Sequence, residues 1–529
     1  MFEREARIAS HCLWLDEMKA TRICVPVCAR LARDLVPAIF RAAERADLIE
    51  VRLDCLEAFE LEPAMVELKS LLVQPPRPLI LTFRPAAEGG FRKLDLPTRH
   101  AFWTSLGDLP ENTFVDWELD LALSFGEGEA SARLPQSWER VICSFHDFSN
   151  ASSNNLDQLY ERLAATPARI LKLAVEAHDI TDCLEIFRLL GRARREGREL
   201  IAIAMGQTGL ATRILGPAHG SFLTYGFSDA EHSTAPGQTS ALELRELYRI
   251  DRLDEQTLIT GLAGNPVAHS VSPQMHNRAF AAQQLNAVYI PFEVHDVGEF
   301  MRRMVHPRTR EMAWNLRGLS ITAPHKEAVM RYLDWLEPAA REIGAVNTVV
   351  AEGEILRGYN TDAAAFFEPL SEKIGPVRDL RVAVIGAGGA ARSILWSLRE
   401  ASAQVTLFAR HVERAGPLAE EFNAFCAQLE DARFSEFEVV INATPLGTRG
   451  QKQSETPALA GQLRGARLAY DLVYNPGETR FLREAREAGC ETLGGLSMLV
   501  AQAAAQFRLW TNEAAPRVLM LEAARAAIA

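Results

Sequence analysis

The chain has 529 residues, of which 48% are hydrophobic and 24% charged, and a formal net charge of −12. That length exceeds what one hydrophobic core organises, so about two to four domains of ordinary globular composition are expected. The acidic balance excludes a general nucleic-acid binder, and no apolar run approaches the ~18 residues of a membrane span.

The first residues, "MFEREARIASHCLWLDEMKA", lack the apolar core of a signal peptide, and a cytoplasmic location is expected. The eight cysteines show no CxxC pair and no His/Cys ligand spacing. Reduced thiols and no metal are therefore expected, with Cys24 and Cys28 read as core packing.

From residue 21 to about 227, eight apolar runs alternate with amphipathic segments: "RICVPV", "DLIEVRLD", "LILTFRP", "TFVDWELD", "RVICSFHDF", "RILKLAV", "ELIAIAMG" and "SFLTYGF". Segments such as "TDCLEIFRLLGRARREG" between them carry a helical pattern. Alternating strands and helices imply a parallel sheet, and eight units in this length predict a closed (β/α)8 barrel. Such barrels keep their chemistry at the C-terminal ends of the strands. Glu50, Arg52, Arg84, His146 and Lys172 are expected late in or just after their strands. Side chains in a strand alternate with period two, so Glu50 and Arg52 share a face, as do Ser144 and His146. If Leu171, Leu173 and Val175 face the helices, Lys172 points into the barrel. Inward charges of both signs on several strands read as a site rather than a structural ion-pair network.

The stretch "TAPGQTSALELRELYRIDRLDEQTL" closes this half with a turn and a helix-like connector, and "ITGLAGNPVAHSVSP" opens a new pattern. Near residue 380, "LRVAVIGAGGAARSILWSLREASAQVTLFAR" reads as strand, Gly-rich turn, helix and strand. Gly386, Gly388 and Ala391 occupy the G-x-G-x-x-G/A positions of a dinucleotide site, where glycines admit the pyrophosphate to a helix N-terminus. The second strand ends at Ala409-Arg410, with Arg414 four residues on and no carboxylate for a ribose 2′-hydroxyl. Guanidinium groups suit a 2′-phosphate, so NADP is preferred over NAD.

These residues resemble two known families joined end to end. The motifs "EVRLD", "TFRPAAEGG", "SFHDF", "ILKLAV" and "TAPGQ" are similar to type I 3-dehydroquinate dehydratase. The motifs "GNPVAHSVSP", "ITAPHK", "GAVNT", "YNTD", "GAGGAAR", "NATPLGT", "YDLVYNP" and "GGLSMLVAQAA" are similar to shikimate dehydrogenase. The order looks like the bifunctional shikimate-pathway enzymes, whose first product is the second substrate. The resemblance implies a barrel over 1–247 and a substrate lobe over 257–363 completed by 493–529. A Rossmann NADP lobe would occupy 364–492.

For the first half, the resemblance implies a Schiff base between Lys172 and the C3 ketone of 3-dehydroquinate. An iminium there acts as an electron sink when the neighbouring proton is removed. The barrel wall with Arg52 or Arg84 would disfavour the ammonium, and His146, titrating near neutrality, would serve as general acid and base. Arg213 would grip the carboxylate; Glu50, Arg52, Arg84 and Gln238 would hold hydroxyls, and Thr234 stands for the lid serine. Val51 replaces an aromatic residue of the family, and Tyr225 stands where Phe is common.

For the second half, it implies carboxylate binding by Ser270 and Ser272, whose hydroxyls point one way if that stretch is extended; Ser272 could alternatively cap the next helix. Lys326 and Asp362 would be the catalytic pair, with Lys326 in the first turn of a helix. Thr322, Asn347, Tyr474 and Gln502 would complete the substrate shell. NADP would lie against Gly386, Ala387, Gly388, Gly389, Ala390, Ala391, Arg410, Arg414, Thr444 and Gly495. Ser320 replaces Asn of many single-domain members, and Ala409-Arg410-His411 departs from the usual Asn-Arg-Ser/Thr. Two alternatives stay open: quinate as the second substrate, and a regulatory homologue. A small-molecule aldolase is disfavoured by the His146/Lys172 pair. Oligomeric state is not legible.

Overall fold

A computed structural model describes residues 21–126, 136–148, 155–228, 239–430 and 432–528. One compact unit runs to Thr257 and a second holds nearly all residues from Leu258 onward. Among the described residues, no helix is long and apolar enough to cross a membrane.

The first unit is a parallel eight-stranded barrel. Its strands are β1 (Ile23–Val27), β2 (Leu48–Arg52), β3 (Leu79–Thr82), β4 (Thr113–Glu118), β5 (Val141–Asp147), β6 (Ile170–Glu176), β7 (Glu199–Met205) and β8 (Thr224–Tyr225). Pairing runs in chain order from β1 to β7, and β8 pairs with β1. A parallel bridge between Leu200 and Ser221 links β7 to the residues before β8 and closes the ring. The last strand is shorter than "SFLTYGF" predicts because pairing stops after Tyr225.

Crossover helices pack their apolar stripes on the barrel. The one at Cys183–Arg195 buries Leu184, Phe187, Leu190 and other apolar residues on one side. Asp179 caps the preceding turn, and Arg192, Arg194 and Arg195 fill the last turn, where cations complement the helix dipole. The connector is not one helix: a π-helical turn at Glu243–Leu247 and a 3-10 turn at Ile250–Arg252 are separated by Arg249, whose φ of 50° ends helical continuity.

Period two builds the barrel interior in layers. Leu48, Ile80, Phe114, Ile142 and Ile170 belong to one buried apolar cluster inside it. Two residues farther along each strand stand Glu50, Thr82, Asp116, Ser144 and Lys172, all buried. Another two give Arg52, Arg84, Glu118 and His146. Lys172 is thus the third residue of β6, level with Ser144 and Ile201, and not late in its strand as expected. It sits one layer deeper than His146.

The thiol expectation is also corrected. Cys28, just past β1, forms a disulfide with Cys55, just past β2, with Cα atoms 5.4 Å apart. Neighbouring parallel strands bring the two to bonding distance although 27 positions separate them. Cys24 lies fully buried within β1, as packing predicts.

The second unit holds two sheets. In the first are β9 (Leu258–Gly264), β10 (Ala287–Glu293), β11 (Leu316–Ile321), β12 (Trp335–Leu336), β13 (Thr348–Glu352) and β14 (Ile355–Tyr359). Their order is β10-β9-β11-β13-β14-β12, with β13 antiparallel to both β11 and β14. In the second are β15 (Arg381–Ile385), β16 (Gln404–Ala409), β17 (Phe425–Gln428), β18 (Val439–Asn442), β19 (Leu468–Asp471) and β20 (Glu491–Leu493). Their order β17-β16-β15-β18-β19-β20, all parallel, is the doubly wound dinucleotide-binding topology. The C-terminal helices Leu496–Thr511 and Arg517–Ile528 return to the first sheet, where Phe507, Trp510 and Met520 share a core with Leu262, Phe280 and Tyr289.

That core contains His276, stacked on Tyr289 with ring centroids 4.4 Å apart. Neither ring nitrogen has a partner among the described residues, and burial pushes the imidazole down to about 3. The unfolded chain takes up this proton near 6.5 but the folded chain only near 3, so its stability contribution is whole above 6.5 and is lost as pH falls through that window. Acidification from pH 7 to 4 is expected to cost the unit about 3 kcal/mol through this group. His276→Phe should remove that part of the acid slope in denaturant titrations at the two pH values.

Candidate active sites

The inward layers of the barrel converge on one cavity. Its lining includes Glu50, Arg52, Arg84, Glu88, His146, Lys172, Arg213 and Tyr225. The six barrel residues that the sequence selects, from β2, just past β3, β5, β6 and the helix Leu210–Leu215, are therefore brought together. Thr234 and Gln238 lie outside the described residues.

Lys172 Nζ donates to Asp116 Oδ2 at 2.9 Å and to Glu50 Oε1 at 3.4 Å, and lies 4.6 Å from the centroid of the Tyr225 ring. The expected surroundings of apolar wall and arginines are corrected: two carboxylates flank the amine. Thr82 Oγ1 donates to Glu50 at 2.8 Å and fixes one of them. Asp116 also meets Arg84 at 2.7 Å and accepts from Ser144 at 2.5 Å. Against burial, which raises it, Arg84 and Lys172 pull the Asp116 carboxyl far below the usual range. Asp116 thus stands between the Arg84 guanidinium and the Lys172 side chain.

Arg84 reaches further, to Glu118 at 2.9 Å, and Arg99 holds the other oxygen of Glu118 at 2.8 Å. Arg52 is held bidentately by Asp54, at 2.9 and 2.8 Å. Asp54 in turn accepts the backbone N–H of Arg84 and of Phe91, joining β2 to the end of β3 and its loop. These arginines are neutralised in place, which rigid positioning of a substrate hydroxyl requires.

His146 lies beside Glu88, whose Oε2 accepts the His146 backbone N–H at 3.0 Å and stands 3.4 Å from Nδ1. Burial, then Arg84 and Lys172, push the imidazole well below its ordinary value. The expectation of titration near neutrality is corrected: the ring is held neutral. Burial pushes the Glu88 carboxyl up to about 8.

In the second unit, Lys326 Nζ donates to Asp362 Oδ2 at 2.5 Å. Lys326 sits in the turn before a 3-10 helix at Ala328–Tyr332, not within a helix. Asp362 opens the helix Asp362–Ile374, and its other oxygen accepts from Asn347 Nδ2 at 2.8 Å. Asn347 Oδ1 accepts the Thr361 N–H at 2.8 Å, so both ends of this amide are fixed.

A hydrogen-bonded chain leads away from that pair. Gln506 Nε2 donates to the Asn347 carbonyl at 3.2 Å, and Ser320 Oγ donates to Gln506 Oε1 at 2.8 Å. Tyr289 donates to Ser320 at 2.8 Å and is also bonded to Ser272. Ser270 bonds to Tyr474. Val271 has ψ of 5°, so the Ser270–Ser272 stretch is turned rather than extended. Ser270 Oγ accepts the Ser272 N–H at 3.2 Å, and Ser272 is the first helical residue rather than the cap. The methyl of Thr322 packs over Gly264, where a Cβ would meet it at 2.2 Å, and Gln502 donates to the Leu499 carbonyl within its own helix.

The Gly-rich turn behaves as its spacing requires. Gly386 has φ of 105°, and a Cβ there would meet the Thr444 methyl at 2.6 Å. Ala387 follows in the turn, Gly388 is the N-cap of the helix Gly389–Glu400, and Ala390 and Ala391 lie in its first turn. A Cβ on Gly388 would enter open space, the cradle a pyrophosphate needs at a helix N-terminus. Lys326 Cδ lies 4.0 Å from a Cβ built on Gly389, so the Lys326–Asp362 pair and this cradle adjoin. Thr444 Oγ1 donates to Asn442 at 2.6 Å and supports the turn rather than offering a free donor. Gly495 caps the helix Leu496–Thr511, where a Cβ would strike the Leu472 carbonyl at 2.2 Å. Arg410 and Arg414 are exposed beyond the end of β16. These residues fit NADP: an open cradle for the pyrophosphate and two guanidinium groups for a phosphate at the ribose.

Residues 23–255 match the family described as type I 3-dehydroquinase, and 262–349 the shikimate dehydrogenase substrate binding domain. Residues 369–460 match shikimate / quinate 5-dehydrogenase, and 495–525 the shikimate 5'-dehydrogenase C-terminal domain. A chloroplastic bifunctional 3-dehydroquinate dehydratase/shikimate dehydrogenase of Arabidopsis thaliana is 34% identical over 537 residues, covering 97% of this chain and 85% of that one. The chain belongs to this bifunctional family. Membership assigns it two activities, a lyase in the barrel and an oxidoreductase in the second unit.

A shikimate dehydrogenase (NADP(+)) of Caldanaerobacter subterraneus is 40% identical over 270 residues, 50% of this chain and 94% of that protein. Shikimate 5-dehydrogenase from Thermus thermophilus, solved in complex with NADP(H) and shikimate, shares 39% identity and a TM-score of 0.46, covering 51% of this chain and 100% of that one.

Within the bifunctional family's two sites, sequence reading missed Glu88, Asp116 and Glu118 in the barrel and Tyr289, Thr361 and Gln506 in the dehydrogenase. A signal existed for the first group: "DWELD" places acids at every second position of a strand, hence on one face. Gln502 and Gln506 are four apart and share a helix side, which pointed equally to both.

Proposed function

We propose that the barrel dehydrates 3-dehydroquinate through a Schiff base on Lys172, and that the second unit reduces 3-dehydroshikimate to shikimate with NADPH. The observation that carries the first step is a buried amine, the one lysine lining the cavity among the described residues, beside a neutral imidazole. The amine attacks the C3 ketone and water leaves, giving an iminium that withdraws electrons from the neighbouring C–H bond. His146 takes the C2 proton. Once charged it is a strong acid, because its surroundings disfavour the charge, and it returns the proton to the departing C1 hydroxyl. Asp116 and Glu50 hold the lysine against the ketone, Arg52, Arg84 and Glu50 orient ring hydroxyls, and Arg213 takes the carboxylate. Thr234 and Gln238 are proposed for the lid side. Borohydride with 3-dehydroquinate, followed by peptide mapping, tests this: label on residues 169–175 is expected, and label elsewhere or none overturns it.

In the second unit, NADPH supplies hydride to the carbonyl carbon when bound. Lys326 donates the proton to the carbonyl oxygen, and Asp362, fixed by Asn347, aims it. Ser270, Ser272, Thr322, Tyr474 and Gln502 are proposed to bind shikimate. The substrate lobe is taken as 257–363 with 493–529, and the NADP lobe as 364–492. Arg410 and Arg414, exposed at the end of β16, select the 2′-phosphate. Arg410→Ala is expected to lower kcat/KM for NADP by about tenfold or more while leaving the NAD value within about twofold. Equal loss with both cofactors would remove the arginine from cofactor choice. Comparing kcat/KM for shikimate and quinate decides between the two acids.

A further inference from the structure

The cations of the barrel cavity are not equivalent. Lys172, Arg52 and Arg84 each hold carboxylate partners. Arg213, only 2% exposed, has no acidic partner among the described residues, and its Nε is buried without an acceptor. Burial holds its guanidinium down to about 10, with Tyr225 the neighbouring group that acts on it. Tyr225 has a second unmet need: its hydroxyl is buried without a partner among the described residues, in a side chain that lines the same cavity. Thr224 Oγ1 donates to the Arg213 carbonyl at 2.9 Å, which ties β8 to the helix carrying Arg213, and both Arg213 and Tyr225 line the one cavity. A buried hydroxyl without a partner costs free energy in every copy of the free enzyme, so its retention calls for an acceptor that arrives with a ligand. Burial pushes the phenol well above its ordinary value, so it remains a donor.

We propose that the Tyr225 hydroxyl is a second donor, beside Arg213, for the carboxylate of the barrel's substrate. This rests on the dehydratase reading. The ring has a separate place, over Lys172, and Tyr225→Phe removes the hydroxyl while keeping it.

In the full chain, Tyr225→Phe is expected to raise KM for 3-dehydroquinate about tenfold and change kcat less than about twofold. The melting temperature should stay level or rise, because an unpartnered buried polar atom is gone. The carboxamide analogue of the substrate should show a smaller difference between wild type and variant than the acid does. An unchanged KM, an equal penalty on acid and amide, or a fall in melting temperature with misfolding would each overturn the proposal. Borohydride trapping of the wild type separates the two levels. If Lys172 is trapped and KM is unmoved, only the Tyr225 role fails; if nothing is trapped, the dehydratase reading fails.

Discussion

Lys172→Ala is expected to abolish dehydration, with kcat down by more than about 10⁴-fold, while shikimate oxidation by the same preparation stays within about twofold. Without the amine no iminium forms, and no second lysine lines the cavity among the described residues. The substitution removes one charge from a buried cluster, and stranding a carboxylate there would cost several kcal/mol. Asp116, however, keeps Arg84 at 2.7 Å and Ser144 at 2.5 Å, and Glu50 keeps Thr82 at 2.8 Å. The barrel is therefore expected to stay folded, which circular dichroism checks directly. Steady-state assays of both reactions on one preparation give the result, and equal loss of both activities sinks the two-site assignment.

The converse variant carries the second large effect. Lys326→Ala should lower kcat for shikimate oxidation by about 10³-fold and leave dehydration unchanged, because proton transfer by a positioned group contributes about 10² to 10⁴. Lys326 and Asp362 meet at 2.5 Å, and Asn347 occupies the other carboxylate oxygen at 2.8 Å. Removing the lysine leaves that carboxylate in place but takes away the group that exchanges the proton with the substrate oxygen. Asp362→Asn should retain the alignment through Asn347 only in part, and its loss should appear in kcat and its pH profile more than in KM. A large change in KM with unchanged kcat would make both residues substrate ligands only.

Much of this chemistry is visible before folding because it rests on local rules. Period two in "RILKLAV" is enough to face Lys172 inward, since Leu171, Leu173 and Val175 claim the other side. Gly386 is legible because a φ of 105° against Thr444 admits no side chain. Partners are a different matter. Alternation says which way Asp116 points, but its contact with Lys172 comes from β6 and β4 facing the same interior across β5, 56 positions apart. The same holds for Cys28 and Cys55, joined only because β1 and β2 end side by side.

The sequence by itself determined the two fold classes, the order of the domains, the amine, the imidazole, the Lys–Asp pair and the cofactor cradle. All but the Lys–Asp pair follow from spacing along one element or from a turn that only glycine permits; that pair rests on the resemblance carried by "ITAPHK" and "YNTD". The tertiary structure alone decided how the charges neutralise one another. Asp116 stands between Arg84 and Lys172, His146 is driven neutral by burial and by those same cations, and Arg213 has no acidic partner among the described residues. Electrostatic character depends on distances between elements remote in sequence and on how much water each group loses, and neither quantity is written in the period of a strand.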